Sequence, residues 1–520
     1  MKYFGISNLI RKMLCKEMDE QKKTPYLDAL KSYLKEDISP FDVPGHHMGN
    51  VENDLKRFIG EMTFKCDVNA PRGLDTLGHP NGVIKEAQEL MAKAYQANEA
   101  FFLINGTTSG ILAMILSVTK ANEKIILPRN CHKSVINALM LSGAIPIFIM
   151  PEVDLDLEIA NQPSFESYKK AIDENPDAKA IFVINPTYFG AVTDLKRLVN
   201  YAHEHDMLCL VDEAHGAHFG FNYYGPYSAM ECDADLSAVS IHKTVGALTQ
   251  ASVLLRKGER VSHYEVMKAL AIINTTSPSS LLIASLDAAR KFMATKGQLQ
   301  LNDTVNLANY ARKEIDRIPG FRACGREHFL KHGVYDYDDT KLVIELDNLN
   351  MTGFELYALL KDKYHIQMEL AETYTVLGII AIGSKKIFID NLINALKEIS
   401  NEHYQVGIEY PKYHYDQKFP IGLIRPRSAF HAPLKRVMLK DAYNMISKES
   451  IMVYPPGIPL IIPGEVFTKE IIDRIMYYKS TDATILSDYD DGTVSCVDIE
   501  SWESYDKYKK EIDEYYENTK

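Results

Sequence analysis

The sequence lacks the features of a membrane-spanning or nucleic-acid-binding protein. None of its 520 residues lies in an uninterrupted apolar run of the roughly 18 residues that a spanning helix needs. Arg11 and Lys12 interrupt the apolar stretch near the amino terminus, which makes that stretch a poor secretory signal. The formal net charge of -12 at pH 7 disfavours a nucleic-acid partner, because phosphate neutralisation needs a basic face. We therefore expect a cytoplasmic protein with a small-molecule partner, and the acidic balance favours a cationic one.

The sequence also lacks the cysteine patterns of disulfide frameworks and zinc sites. Its seven cysteines are odd in number and scattered, and no two of them form a Cys-x-x-Cys pair. We interpret them as reduced thiols and predict no metal site.

What the sequence does contain is a regular alternation of short apolar runs with helix-like stretches. The runs lie at 124–128, 145–150, 180–186, 208–215 and 236–243, and a further one at 101–116 leads into a helix. This alternation predicts an α/β fold with a mostly parallel sheet that is covered on both faces.

The pattern changes after the last of these runs, which indicates further domains. A long helical stretch leads into a smaller α/β unit with runs at 340–349 and 385–400, and an aromatic and proline-rich stretch at 410–420 suggests a linker. We predict an N-terminal arm (1–50), a large domain (51–300), a small α/β domain (301–405) and a C-terminal domain (406–520).

Polar residues follow several of the predicted strands and should meet at one edge of the sheet. Asp212 and Lys243 each come after an apolar run, and ligands of open parallel sheets bind beyond the carboxyl ends of the strands. The stretch Gly-Thr-Thr-Ser-Gly at 106–110 opens a helix, where free N–H groups favour a phosphate, although an ordinary helix cap explains it as well. This stretch has neither the lysine of a P-loop nor the glycine pattern of a dinucleotide site.

A phosphate cradle, an aspartate and a lysine at one edge are what pyridoxal phosphate requires. The lysine amine forms a Schiff base with the cofactor, the aspartate keeps the pyridine nitrogen protonated, and the cradle holds the phosphate. The 31 residues that separate Asp212 from Lys243 leave room for one crossover between neighbouring strands.

Six stretches also resemble a known family in their order along the chain. They read PGHHMG, NPTYFG, DEAHGAHFG, SIHKTVGALTQ, TTSPSSLLIASLDAAR and VYPPGIPLIIPGE. They resemble the bacterial ornithine/lysine/arginine decarboxylases, and among these the shorter biosynthetic arginine decarboxylases, over about residues 24–470. The resemblance implies a fold-type I pyridoxal-phosphate enzyme, with a mostly parallel seven-stranded central sheet, a small α/β domain and an extra C-terminal domain.

The resemblance also implies roles for individual residues. Lys243 corresponds to the lysine that carries the cofactor, Asp212 to the aspartate at the pyridine nitrogen, and His132 to the imidazole that stacks on the cofactor ring. Glu465 corresponds to an acidic residue near the distal end of the substrate. The other expected cofactor contacts are Thr108, Ser109, Ala214, Ser240 and His242, together with Thr276 and Ser277 reaching from a neighbouring subunit. Ordinary explanations exist for each, such as a surface lysine, a helix cap or a loop histidine.

Three residues of these motifs receive no firm role from the resemblance. His215 is expected near the site, and Tyr188 either lines the pocket or packs its own loop. His47 stands where the family usually has a lysine, which puts the contribution of that loop in doubt.

The resemblance implies decarboxylation of a basic L-amino acid by a homodimer or higher homo-oligomer with shared active sites. Arginine is favoured over lysine and ornithine, which would give agmatine and carbon dioxide for polyamine biosynthesis. An aminotransferase or aldolase-like enzyme on the same fold remains an alternative, because the cofactor does not fix the reaction. A catalytically silent regulator on this scaffold is a further alternative.

Overall fold

The computed structural model describes residues 19–222, 225–408, 421–454, 457–481, 483–503 and 507–518. The first 18 residues and the predicted linker at 410–420 lie outside these ranges. Within them, no helix combines the length and the apolar character needed to cross a membrane.

Seventeen α-helices and twenty strands form within the described ranges. The helices are α1 (Pro25–Tyr33), α2 (Asp54–Ile59), α3 (Glu61–Cys66), α4 (Val83–Ala94), α5 (Gly106–Val118), α6 (Lys133–Ser142), α7 (Phe165–Glu174), α8 (Leu195–Glu204), α9 (Ile241–Thr244), α10 (His263–Ile273), α11 (Ser280–Ile315), α12 (Arg326–Lys331), α13 (Gly353–Asp362), α14 (Lys386–His403), α15 (Pro426–His431), α16 (Lys469–Lys479) and α17 (Lys509–Asn518). The strands are β1 (Glu99–Leu103), β2 (Lys124–Pro128), β3 (Ile145–Ile149), β4 (Val153–Asp154), β5 (Ile159–Ala160), β6 (Ala180–Ile184), β7 (Ala191–Val192), β8 (Leu208–Asp212), β9 (Leu236–Val239), β10 (Ser252–Arg256), β11 (Phe321–Cys324), β12 (Asp336–Tyr337), β13 (Lys341–Leu346), β14 (Leu370–Ala371), β15 (Thr375–Ile379), β16 (Leu434–Met438), β17 (Ile451–Tyr454), β18 (Ile458–Ile461), β19 (Thr484–Leu486) and β20 (Thr493–Val497).

The central sheet has seven strands in the order β1-β10-β9-β8-β6-β2-β3. Strands β9, β8, β6, β2 and β3 pair in parallel, whereas β10 runs antiparallel to both of its neighbours. Successive residues of β2, such as Ile125, Ile126 and Leu127, are all fully buried. Such continuous burial is expected of a sheet covered on both faces. The predicted α/β fold with a mostly parallel seven-stranded sheet is confirmed.

One predicted run ends earlier than the sequence pattern suggests. Strand β9 stops at Val239, and the chain turns into the single helical turn α9, which carries Lys243. Within this turn the backbone N–H of Val245 donates to the carbonyl of Ile241 at 3.3 Å, and the N–H of His242 donates to the carbonyl of Ala251, next to β10, at 3.2 Å. Lys243 therefore stands on a short helix beyond the strand end.

A second, antiparallel sheet has the order β11-β13-β15-β14, and the 36-residue helix α11 leads into it. Strand β12 pairs with β7, the short strand that follows β6 along the chain, and this pairing ties the segment before β13 to the part of the chain that forms the large sheet. Lys341, the first residue of β13, is thereby brought next to the carboxyl ends of the large sheet. The exact domain boundaries stay a prediction.

The C-terminal part contains a three-stranded sheet, β18-β17-β19, and the pair β16-β20. Helix α17 packs onto this part of the chain, because Ile512 is fully buried in an apolar cluster with Tyr508 and Val497.

Candidate active site

A pocket of about 300 Å³ lies beyond the carboxyl ends of β6, β8 and β9. This volume suits a small-molecule site. The pocket walls include most of the residues predicted from the sequence, namely Thr108, His132, Asp212, Ala214, Ser240, His242 and Lys243, as well as Tyr188 and His215. The parallel strand order explains the convergence, since it places these strand ends side by side.

The Lys243 amine lies in this pocket, and the residue is mostly but not fully buried. Its Nζ lies 2.8 Å from Nε2 of His215 and 5.0 Å from the centre of the Tyr188 ring. Burial lowers the pKa of Lys243 to about 8, although the carboxylate of Asp212 opposes that shift. A lysine with a lowered pKa has more of its amine in the neutral, nucleophilic form near neutral pH.

Asp212 ends β8 and is buried. Its Oδ1 accepts a hydrogen bond from the N–H of Ala214 at 3.1 Å. Burial raises the pKa of Asp212, while that hydrogen bond and the nearby Lys243 act in the opposite direction. A cationic partner would hold this carboxyl group in its charged form.

Hydroxyl groups gather where α5 begins. Gly106 starts the helix with a positive φ of 70°, a conformation that favours glycine, and Gly106, Thr107 and Thr108 all line the pocket. The Thr107 hydroxyl is hydrogen-bonded to the Ser240 hydroxyl and donates to Oγ of Ser252 at 3.1 Å. These hydroxyls and the free N–H groups of the first helical turn form a cradle for an anion.

Ser109 is not among the residues that line the pocket, although Thr107 and Thr108 are. Its hydroxyl donates to the carbonyl of Gly106 at 2.8 Å, and the residue is fully buried. The predicted contact of Ser109 with a phosphate stays a prediction, and Thr107 is a further candidate for that contact.

Two histidines flank the lysine in a neutral form. His132 caps α6, and its Nδ1 accepts from the N–H of Ser134 at 3.2 Å, which fixes the ring orientation. Burial, with the charges of Lys243 and Lys133, lowers the pKa of His132 to about 4. His242 lies near the carbonyl of Ala251, with Nδ1 at 3.1 Å from the oxygen, and burial lowers its pKa as well.

His215 connects the site to the small sheet, a role that the sequence did not reveal. The ring is buried against Tyr188, with 4.1 Å between ring centres. Its Nδ1 lies 3.2 Å from Nζ of Lys341, while its Nε2 faces Lys243. Burial and these two amines lower the pKa of His215 well below its ordinary value. Lys341 lies outside all six motifs, between the one that ends at Arg290 and the one that begins at Val453, so only the fold identifies it.

Thr276 and Ser277 are exposed on the loop after α10 and are not among the residues that line the pocket of their own chain. This placement leaves them available to a neighbouring subunit, as the resemblance implies. Their contact with a second cofactor stays a prediction.

Glu465 is not among the residues that line the pocket either, and its contact with the distal end of a substrate stays a prediction. The carboxylate accepts from Nε of Arg129 at 2.9 Å and from Nη2 at 2.7 Å, and also from the N–H of Ile462. Both of its oxygens are thus engaged in a buried ion pair.

Two other acidic residues do line the pocket, and sequence reasoning missed both. Glu158 stands in the turn between β4 and β5, and Glu372 stands between β14 and β15, with Arg474 nearby. Burial raises the pKa of Glu372 to about 7; Arg474 lowers it and Glu158 raises it. Neither lies in a recognisable motif, so the sequence carried no signal for them.

The residues present fit pyridoxal phosphate, the cofactor expected from the sequence. The start of α5, with the hydroxyls of Thr107, Thr108 and Ser240, offers the N–H and O–H donors that a phosphate needs. The buried Asp212 would gain a cationic partner in a protonated pyridine nitrogen, and Lys243 supplies the amine.

Comparisons with known proteins identify two matching family models and several similar proteins. A family model described as "Orn/Lys/Arg decarboxylase, major domain" matches residues 24–387, and one described as "Orn/Lys/Arg decarboxylase, C-terminal domain" matches residues 415–485. The arginine decarboxylase of Halalkalibacterium halodurans is 42% identical over 454 residues, which cover 87% of this chain and 92% of the relative. The arginine decarboxylase of Bacillus subtilis is 41% identical, with 89% and 94% covered.

The fold is also similar to a solved structure. The lysine decarboxylase of Francisella novicida superposes with a TM-score of 0.80 over 95% of this chain and 84% of that chain. The identity is 22%, so this likeness supports the fold alone.

Proposed function

Because the chain belongs to the Orn/Lys/Arg decarboxylase family, we propose that it decarboxylates a basic L-amino acid with pyridoxal phosphate, and that arginine is the preferred substrate. The products are then agmatine and carbon dioxide, and the reaction serves polyamine biosynthesis in the cytoplasm. The arginine decarboxylases that are about 40% identical over most of the chain support this substrate.

The observation that carries the proposal is the buried Lys243 amine in one pocket with Asp212 and the hydroxyl cradle. When bound, pyridoxal phosphate supplies the electron sink for the electron pair that the departing carboxylate leaves behind. The presence of the lysine, the aspartate and the hydroxyl cradle also argues against a catalytically silent homologue.

The residues around the cofactor have distinct roles in this proposal. Asp212 would keep the pyridine nitrogen protonated, and the hydroxyls of Thr108 and Ser240 would hold the phosphate. The neutral His132 ring and Ala214 would pack against the cofactor ring. The Lys243 amine would hold the cofactor, and it is also the group that would supply a proton to the α carbon of the substrate. His242 lies beside this lysine.

Glu158 and Glu372 supply the negative charge for the distal cation of the substrate. An unpaired cation is costly to bury, so the pocket needs carboxylate acceptors. The two acidic side chains line the same pocket, and the Glu372 pKa of about 7 reflects burial and the charge of Glu158. A guanidinium offers several planar N–H donors, which lets it engage carboxylates more fully than an ammonium does.

The working unit in this proposal is a homodimer or a larger homo-oligomer. The loop with Thr276 and Ser277 is exposed, as a residue that serves a neighbour must be before assembly. The segment from 41 to 62 also exposes large apolar side chains, with Phe41 at 96% and Phe58 at 87%. Such clustered apolar exposure is typical of a surface that a partner covers.

Product analysis tests the reaction. The purified chain is incubated with pyridoxal phosphate and arginine, lysine or ornithine in parallel, and both carbon dioxide and the amine product are quantified. Agmatine and carbon dioxide in equal amounts, with the highest kcat/KM for arginine, are expected. A keto acid product without carbon dioxide would instead identify an aminotransferase, and a preference for lysine or ornithine would change the substrate alone.

A further inference from the structure

A row of buried polar side chains runs from the Lys243 amine toward the small sheet. Nζ of Lys243 and Nζ of Lys341 lie on opposite sides of the His215 ring, at 2.8 Å from Nε2 and 3.2 Å from Nδ1. The Lys341 side chain is completely buried, and its Nζ lies 3.8 Å from Oδ2 of Asp338. One imidazole thus separates two lysine amines, of which the proposed reaction uses only the first.

This arrangement restricts where the protons can lie. A neutral imidazole has one N–H donor and one acceptor nitrogen, and an ammonium group can only donate. If both lysines were charged, one of them would face an N–H with another N–H. One of the two amines must therefore be neutral for both contacts to His215 to be hydrogen bonds.

The carboxylate of Asp338 favours Lys341, and not Lys243, as the lysine that stays protonated. Its Oδ1 accepts from the N–H and the hydroxyl of Thr340 at 3.0 and 2.7 Å, and it lies 3.0 Å from Nε2 of His218. Among the described residues, Oδ2 has no hydrogen-bond partner, and it faces Lys341. Burial alone would raise the pKa of Asp338, but His218, Lys341 and Thr340 hold it below its ordinary value. Burial lowers the pKa of Lys341, and the charged Asp338, together with Glu369, opposes that shift and so favours the ammonium form of Lys341.

The backbone makes room for the Lys341 side chain in this position. Gly190, in the loop before β7, has a positive φ of 96°, and a Cβ atom there would lie 2.8 Å from Cγ of Lys341 and 3.0 Å from the Tyr337 ring. The strand pair β7-β12 holds both segments together. The position of Lys341 is thus fixed by the fold.

We propose that Lys341 is a positioning residue that fixes the tautomer of His215 and so presents the Lys243 amine in its neutral form. The Lys341 ammonium donates to Nδ1 of His215, which leaves the proton on Nε2. The Nε2–H then donates to the lone pair of the Lys243 amine, which only the neutral amine possesses. The positive charge of Lys341 adds to this preference by repelling a second ammonium.

Other groups near Lys243 act on the same equilibrium. Asp212 and Glu369 favour the charged amine, whereas burial and Lys341 favour the neutral one, and the balance is a Lys243 pKa of about 8. The other titratable groups around Lys243 include Tyr188, whose ring centre lies 5.0 Å from its Nζ, and three histidines whose pKa values are all lowered: His132, His215 and His242.

The inference rests on the proposed role of Lys243, but its test does not need turnover. The lysines of the full-length, cofactor-free chain are acetylated competitively at a series of pH values, and the peptide that contains Lys243 is quantified by mass spectrometry. The exposed Lys435 serves as the internal reference in each sample. Lys341→Met should move the labelling midpoint of Lys243 upward by roughly one pH unit or more, since a like charge is lost. Lys341→Arg, which keeps the charge, should leave the midpoint close to its native value.

A second readout is the rate at which added pyridoxal phosphate binds covalently near pH 7. If the Lys243 midpoint rises by one pH unit, this rate should fall by roughly tenfold in Lys341→Met. If Lys341→Met does not fold, Asp338→Asn replaces it and should give a smaller upward shift, because Lys341 then loses its counter-charge. An unchanged Lys243 midpoint in the folded variant overturns the inference. A native chain that shows the expected labelling yet releases no carbon dioxide would overturn the proposed function and leave this inference standing.

Discussion

The guanidinium of Arg129 and the carboxylate of Glu465 form a two-pronged ion pair across 336 residues of sequence. The side chains are only 6% and 5% exposed, and the pair joins the end of β2 to the C-terminal part of the chain. Arg129 also donates to the carbonyl of Pro459 at 2.9 Å. This relationship makes Glu465 a structural anchor for the wall of the pocket.

We predict that the main effect of Glu465→Gln is a loss of folding stability and not a change of substrate preference. Loss of one partner of a buried ion pair typically costs about 3–5 kcal/mol, because the other charge stays buried and uncompensated. The fluorescence of Trp502, the single tryptophan, reports unfolding of the C-terminal part in urea, and its midpoint should fall. The double variant Arg129→Met with Glu465→Met should lose less than the two single variants together. A normal midpoint with a selective loss of arginine turnover would restore the substrate role expected from the sequence.

The second prediction concerns the lysine. Lys243→Ala should abolish turnover and remove the absorbance of covalently bound cofactor near about 420 nm, because no other amine takes its place in the proposal. Borohydride should fix pyridoxal phosphate to the Lys243 peptide of the unchanged chain, as mass spectrometry would show. Labelling of the Lys341 peptide instead would contradict the assignment of Lys243. The matched control is Lys341→Arg, in which borohydride should still fix the cofactor to Lys243.

The large sheet and the edge that carries the site could be predicted, because strands buried on both faces leave continuous apolar runs. Asp212 ends one of those runs, and Lys243 follows another on a short helix. The choice between Thr107 and Ser109 could not be made from the sequence, since adjacent hydroxyls differ only in helical phase. Lys341 could not be predicted, because docking of the small sheet against the large one determines its position.

The third prediction is that Asp212→Asn keeps the fold and the bound cofactor but lowers kcat by several orders of magnitude. A neutral amide no longer holds the proton on the pyridine nitrogen, so the electron sink is lost. Circular dichroism and the cofactor absorbance check folding and loading, and steady-state kinetics measure the rate. Near-normal kcat in a loaded Asp212→Asn variant would refute the assignment of Asp212.

The fourth prediction tests sharing of active sites between subunits. Chains with Lys243→Ala and chains with Thr276→Ala and Ser277→Ala should each be inactive, since each lacks one half of every site. Mixing them under conditions that allow subunit exchange should restore up to about a quarter of native activity, because half of randomly assorted dimers are hybrids with one complete site. Full activity of a strictly monomeric chain in gel filtration would rule out the shared site.

The last prediction addresses the distal end of the substrate. Glu158 and Glu372 line the pocket, and a hydrogen bond to a charged group contributes roughly 1.5–3 kcal/mol, so Glu372→Gln should raise KM for arginine by about 10- to 100-fold. The effect on kcat should be smaller, because the distal group is bound alike throughout the reaction.

Since the Glu372 pKa is raised to about 7, its carboxylate forms above that pH, and KM for arginine should fall as the pH rises through about 7. Glu372→Gln should remove that pH dependence, whereas Glu259→Gln, at an exposed loop position, should leave KM and its pH profile unchanged. Steady-state kinetics of the three proteins from acidic to alkaline pH decide the matter, and an unaltered KM in Glu372→Gln would move the recognition of the guanidinium to other residues of the pocket.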